Sequence, residues 1–390
     1  MRTLPVGFRL HLIRSIVLLL ILVTPGLSRA QFLYQTNNGA ITITGYNGTG
    51  GAVAIPTTIN GYAVVQIATN SFASKTSITS INVPSSITNI GVGAFASCTS
   101  LTSITVDSGN QQYASSAGVL FNKDQTMLVQ FPAGVGATYI VPQSVTAIAD
   151  QAFVSCASLT NVVLPPGLLT IGGTAFSNCT GLTSVNIPNL VKYIPDVAFA
   201  NCSALKSLTI PGSVTNIGPY AFTFSGITEL TIPEGTSSIG TSSFSNAGNL
   251  ARVNISKTVK SIGFFAFSSC PNLTEMYFAG DAPSVGSNPF SNTPNVIVYY
   301  SVGAVGWTSS FGGRPAFPWD ATISSLSVTQ ATGASLTITG SAGLSFVVQR
   351  SFGLENPSWT PFCTNRTSTA PFHTNDVQGA SRAFYRLRSP

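Results

Sequence analysis

"AFSNCTGLTSVNIP", residues 175–188, decides how the chain is read, because nearly the same line stands on either side of it. Residues 152–165 read "AFVSCASLTNVVLP" and residues 198–211 read "AFANCSALKSLTIP", each 23 positions away. Aligned on its phenylalanine, the line gives Phe72, Phe95, Phe153, Phe176, Phe199, Phe222, Phe244, Phe267 and Phe290. The steps are 23 residues, apart from one of 22 and a gap of 58 between Phe95 and Phe153. A fixed period of this length signals a solenoid, in which no coil buries its apolar face alone and each covers its neighbour.

The positions of the line I-G-x-x-A-F-x-x-C-x-x-L-x-x-I-x-I-P have separate expected roles. Leu182, Val185 and Ile187 are spaced as inward-facing strand side chains, and Pro188 ends the strand because it has no N–H for the ladder. Ile171 begins the return segment, Gly172 permits a turn, and Ala175–Phe176 plugs the far side of the coil. Cys179 stands where a small buried hydrophobe fits.

Stretches such as "VTNIGPYAF" (214–222) and "ITELTIP" (227–233) resemble the BspA-like leucine-rich repeat family of bacterial surface and secreted proteins, over about Ile55 to Tyr300. Residues 38–67 and 296–319 resemble the segments that cap such arrays. The resemblance implies a mainly-β, curved leucine-rich repeat solenoid, with one strand per coil and a turn or short helical piece on the other face. It also implies adhesion or binding to a protein or glycan at the cell surface or outside the cell. It supplies no catalytic residue, cofactor or metal.

The long gap holds residues 107–134, in which "GVLF" and "MLVQF" flank the turn-forming "NKDQ" and read as a β-hairpin. The insert, near 107–142, decorates one coil. Residues 321–390 shift to alternating strands and suggest a small β-sandwich of immunoglobulin- or fibronectin-like kind. The expected division is therefore 1–30, 31–320 for the capped solenoid, and 321–390.

Residues 1–30 have the order of a secretory signal peptide: a basic start, the apolar "SIVLLLILV", and small residues Ser28 and Ala30 before Gln31. The expectation is an exported protein, extracellular, at the cell surface or periplasmic, with no membrane span after cleavage. Cleavage after Ala30 removes Arg2, Arg9, Arg14 and Arg29 and no acid, taking the net charge from +6 to +2. Only 7% of the residues are charged, against about 25% in an ordinary soluble protein. With no other basic cluster, nucleic acid is not an expected partner.

Groups able to do chemistry are scarce. His373 is the one histidine after residue 30, and no nucleophile turn accompanies it. Cys98, Cys156, Cys179, Cys202 and Cys270 each follow the repeat phenylalanine by three residues, and Cys363 stands alone. Stacking would set Cys156, Cys179 and Cys202 about 4.8 Å apart, within disulfide reach. Other coils place Ser225, Ala247 and Thr293 there, which favours buried thiols over bridges.

The outward strand columns read Ser80, Ser103, Asn161, Ser184, Ser207, Glu229, Arg252, Glu275 and Asn82, Thr105, Val163, Asn186, Thr209, Thr231, Asn254, Tyr277. Charge and an aromatic ring meet only at Glu229, Arg252, Glu275 and Tyr277, the candidate partner contacts. A rival from another class is a polysaccharide hydrolase using Glu229 and Glu275, two coils and so about 9–10 Å apart. Arg252 falls between them, which favours an ion-pair ladder. A passive surface-layer spacer is a third reading.

Overall fold

The computed structural model describes residues 31–319 and, beyond them, the strands Thr322–Thr329, Gly333–Thr339, Ser345–Ser351, Thr360–Arg366, Phe372–Asp376 and Phe384–Arg388. The signal-peptide expectation, residues 1–30, lies outside the described residues, and so does the side chain of His373.

All regular elements among the described residues are strands. Each coil contributes two. The longer, such as Leu159–Val163, Glu229–Ile232 or Arg252–Ile255, pairs in parallel with the strand one repeat later: Ser184 faces Ser207, Glu229 faces Arg252, and Arg252 faces Glu275. The shorter is a two-residue strand at the Ile of "IG", such as Thr170–Ile171 or Asn216–Ile217, and it stacks in parallel as well. The phenylalanine segment is a turn, with no helical piece, yet it too is laddered: Phe153, Phe176 and Phe199 N–H donate to the carbonyls of Ala175, Ala198 and Ala221, each at 2.8 Å. Where these ladders run unbroken, three sides of a coil satisfy their backbone groups on the next, which is what lets so short a repeat be buried inside. The longer ladder is interrupted after Ser207–Thr209 and the shorter after Thr170–Ile171.

All nine aligned phenylalanines are fully buried. From Phe153 to Phe267 the rings lie 4.7 to 5.5 Å apart and within 13° of parallel, each stacked on the next coil's ring. Phe131, which the alignment left inside the insert, extends this column at 5.0 Å from Phe153. Its position, 22 residues before Phe153, was the signal in the sequence. The column has two lengths. Phe72 and Phe95 belong to one buried cluster and Phe131 through Phe290 to another. The insert makes the break: Val119–Asn122 pairs antiparallel with Met127–Gln130 and with Tyr113–Ser116, and only then does the regular stacking resume.

Gly172 is needed for a different reason than the turn expected of it. A Cβ there would stand 2.3 Å from the backbone N of Asp150 and 2.5 Å from the carbonyl carbon of Ala149. Gly91, Gly263 and Gly286 meet the preceding coil in the same way. The glycine sets how closely two coils approach.

The cysteine position also does more than fill space. The thiols of Cys98, Cys179, Cys202 and Cys270 donate to the carbonyls of Phe72, Phe153, Phe176 and Phe244 in the preceding coil, at 3.0 to 3.3 Å. Thr293 makes the same bond to Phe267 at 2.8 Å. The five coil cysteines are buried thiols.

Beyond Trp319 the described strands form two three-stranded antiparallel sheets. Gly333–Thr339 lies between Thr322–Thr329 and Phe372–Asp376, and Ser345–Ser351 lies between Thr360–Arg366 and Phe384–Arg388. Leu336 and Ile338 of the first sheet and Val348 of the second form one buried cluster with Tyr277 and Tyr299 of the coils.

Candidate functional surface

Strand pleating turns Ser184, Asn186, Ser207 and Thr209 away from the core while Val185 goes inward, so one face of the solenoid is a sheet of hydroxyls and amides. The outer column Asn82, Thr105, Val163, Asn186, Thr209 and Thr231 is exposed, and Asn254 is half-buried. Asn82 Nδ2 donates to Thr105 Oγ1 across adjacent strands at 3.1 Å, one rung of a side-chain ladder.

At the C-terminal end this face changes character. Arg252 stands between two carboxylates, with Nη1 3.3 Å from Glu229 Oε1 and Nε 3.1 Å from Glu275 Oε2. The Glu229 side chain is 70% exposed and that of Glu275 only 3%. Tyr277 also donates to Glu275 Oε2, at 3.3 Å. Tyr277 itself is buried, stacked on Tyr299 at 5.1 Å, under Leu336, Ile338 and Val348. Of the four residues singled out in the sequence, Glu229 and Arg252 therefore reach solvent, while Glu275 and Tyr277 lie beneath the following strands. The repeat pattern gave no sign of this cover, since both residues are in outward register.

The arrangement also bears on hydrolysis. A pair of carboxylates acting on a glycosidic bond needs the substrate between them. Here the Arg252 guanidinium fills that place and bonds to both. Beside this row lies a cleft of about 390 Å³ bordered by Thr231, Glu234, Asn254, Ser256, Ser301 and Trp319. A second, of about 300 Å³, lies at the insert between Ile90–Phe95 and the hairpin residues Tyr113, Met127 and Val129. There Tyr113 Oη accepts from Ile90 N–H at 2.8 Å, satisfying an edge strand that the insert leaves without a neighbour. Among the described residues no group of three or more His, Cys, Asp or Glu side chains converges as a metal site.

The family model for the BspA type leucine rich repeat region matches in six copies, over residues 57–132, 137–247 and 193–301, more than half of the chain. The chain belongs to the BspA-type leucine-rich repeat family. Among solved structures, a leucine rich cell surface protein from Faecalibacterium prausnitzii is 25% identical, with a TM-score of 0.40 over 69% of this chain and 74% of that one. The pneumococcal vaccine antigen PcpA is 22% identical, with a TM-score of 0.43 over 63% of this chain and 56% of that one, so this chain spans little more than half of it. A leucine-rich repeat protein from Eubacterium ventriosum is 16% identical, with a TM-score of 0.48 over 73% and 97%. No curated protein matches. The BspA-type repeats thus account for the solenoid, and among the described residues no helix is long and apolar enough to cross a membrane.

Proposed function

We propose that this BspA-type chain is an exported, non-enzymatic protein that binds a protein or glycan partner through the strand face of its solenoid, in adhesion or another surface interaction. The observation that carries this reading is the exposed, nearly uncharged column from Asn82 to Thr231, which carries hydroxyls and amides at most rungs, with Val163 and its neighbour Ile140 the apolar exceptions, and ends at the accessible Glu229–Arg252 pair. A flat polar sheet of this kind hydrogen-bonds a long partner at many weak points instead of enclosing a small one. Glu275 and Tyr277 support the end of that surface from below. Export is favoured by the basic, apolar and small-residue order of residues 1–30. The strands after residue 321, read as a small β-sandwich, hold the last coils.

The experiment is retention of residues 31–390 on immobilised protein and glycan panels, alongside the variants Asn186→Arg and Thr209→Arg. A retained partner lost in both variants supports the strand face. If every retained partner is held unchanged by both variants, the strand-face reading is overturned, an empty panel favours a passive spacer, and cleavage of a glycan that disappears in Glu275→Gln favours a hydrolase.

A further inference from the structure

The turn side of the solenoid, across the core from the strand face, holds a second surface. Every coil built on one of the nine aligned phenylalanines has two positions in the left-handed backbone region, two residues before and two residues after the ring. Elsewhere the chain fills many of them with residues that tolerate a positive φ: Asn70, Gly93 and Asn288 before the ring, and Asn178, Asn201, Asn246 and Asn292 after it. Gln151, Thr174, Val197, Tyr220, Phe224 and Phe265 depart from this habit, and of these Tyr220, Phe224 and Phe265 carry aromatic rings. Their φ values are 56°, 56° and 54°, a region that bulky side chains avoid.

These rings gain only partial burial in exchange. Tyr220, Phe224 and Phe265 are 46%, 52% and 41% exposed, and Phe264 beside them is 53% exposed. Large aromatic rings that are both half exposed and set on strained backbone point to a role outside the fold.

We infer that the turn face between Tyr220 and Phe265 binds an extended, uncharged polysaccharide by stacking its sugar rings on these aromatic side chains. Spacing is the first reason. Tyr220 N–H donates to Thr241 O at 2.9 Å and Ser242 N–H to Phe264 O at 2.8 Å, so Tyr220, Ser242 and Phe265 occupy successive rungs. Two rungs separate the aromatic residues by about 10 Å, close to the repeat of two sugar units in an extended chain. Ser242 between them is small and buried, leaving a gap over the middle rung.

Chemistry is the second. The turn segments 218–226, 240–248 and 263–271 contain no Asp, Glu, Lys or Arg, which removes any pull toward nucleic acid or an acidic polymer. Thr241, Asn246 and Ser269 are half-buried and leave hydroxyl and amide groups beside the rings for sugar hydroxyls. A protein partner would instead favour one contiguous, desolvated anchor pocket, whereas these rings are set apart by small polar rungs. The surface is separate from the strand face and does not depend on it.

The test uses replacements that the array itself accepts at these positions: Tyr220→Asn, Phe224→Asn and Phe265→Asn, singly and together. Residues 31–390 are sedimented with cellulose, chitin, xylan and mannan, and melting is followed in parallel. The expected result is retention on at least one polymer, a loss of tenfold or more in the triple variant, and a melting temperature that rises because the strain is relieved. Asn186→Arg on the strand face should leave this retention unchanged. No retention of the parent protein on any of the four polymers overturns the inference, as does retention that survives the triple variant. A melting temperature that falls in the triple variant would mark the rings as structural and overturn it too. So would capture of a protein, with no polysaccharide retained, that the triple variant abolishes.

Discussion

The thiol of Cys179 donates to the carbonyl oxygen of Phe153, in the preceding coil, at 3.1 Å. Thr293 repeats the bond to Phe267, which explains why hydroxyl and thiol residues exchange at this place. At Cys98, Cys179, Cys202, Cys270 and Thr293 the position ties a coil to the carbonyl of the ring beneath it, whereas Ala247 has no donor to offer and Ser225 Oγ is buried without a partner.

Burial pushes the Cys98 thiol from 9.0 up to about 11 and the Cys270 thiol to about 12, and raises Cys156 and Cys202 in the same direction. Near pH 8 the coil thiols should stay unlabelled by iodoacetamide in the folded protein and all react in denaturant. Folding holds these protons more tightly than the unfolded chain does. Their contribution to stability is therefore complete below pH 9 and is lost as pH rises through 11 to 12. Thermal melting should be flat around neutrality and fall above about pH 9. Rapid native labelling would contradict the buried column.

Arg252 and its two acids should respond unequally to removal. Glu229 is 70% exposed, so Glu229→Ala should cost less than about 0.5 kcal/mol. Arg252→Ala takes a hydrogen-bond donor from the buried Glu275 carboxylate and should cost about 1–3 kcal/mol. Urea melts of both variants check the asymmetry, and equal small losses would mean that Glu275 is not held by this arginine.

Val197 has a φ of 61° at the position where another coil has Gly93 and the last has Asn288. A β-branched residue is strained there by about 1–2 kcal/mol. Val197→Asn should stabilise the protein by about 1 kcal/mol, after a small loss of apolar contact. A drop in the urea midpoint would show that the valine packs more tightly than its backbone is strained.

The coil architecture was legible because a buried column must repeat: nine phenylalanines in phase announce it, and all nine are buried. Phe131 escaped because the hairpin residues before it do not resemble the line, although its distance from Phe153 fits. The role of Gly172 was misjudged because a close approach between coils and a permissive turn select the same residue. Burial of Glu275 and Tyr277 was illegible for a deeper reason. The cover over Tyr277 comes from Leu336, Ile338 and Val348, and a strand pattern records only which side of its own sheet a residue faces. Of the paired left-handed positions, the one two residues after the ring had a signal in its Asn and Ser bias, and the one before it had none.

Phe199 lies between Phe176 at 5.0 Å and Phe222 at 5.3 Å, with ring planes within 4° of both. Phe199→Ala opens a hole in the middle of the stacked column, and equilibrium urea unfolding should register a loss of about 3–5 kcal/mol. A loss below about 1 kcal/mol would contradict a solenoid held together by that column.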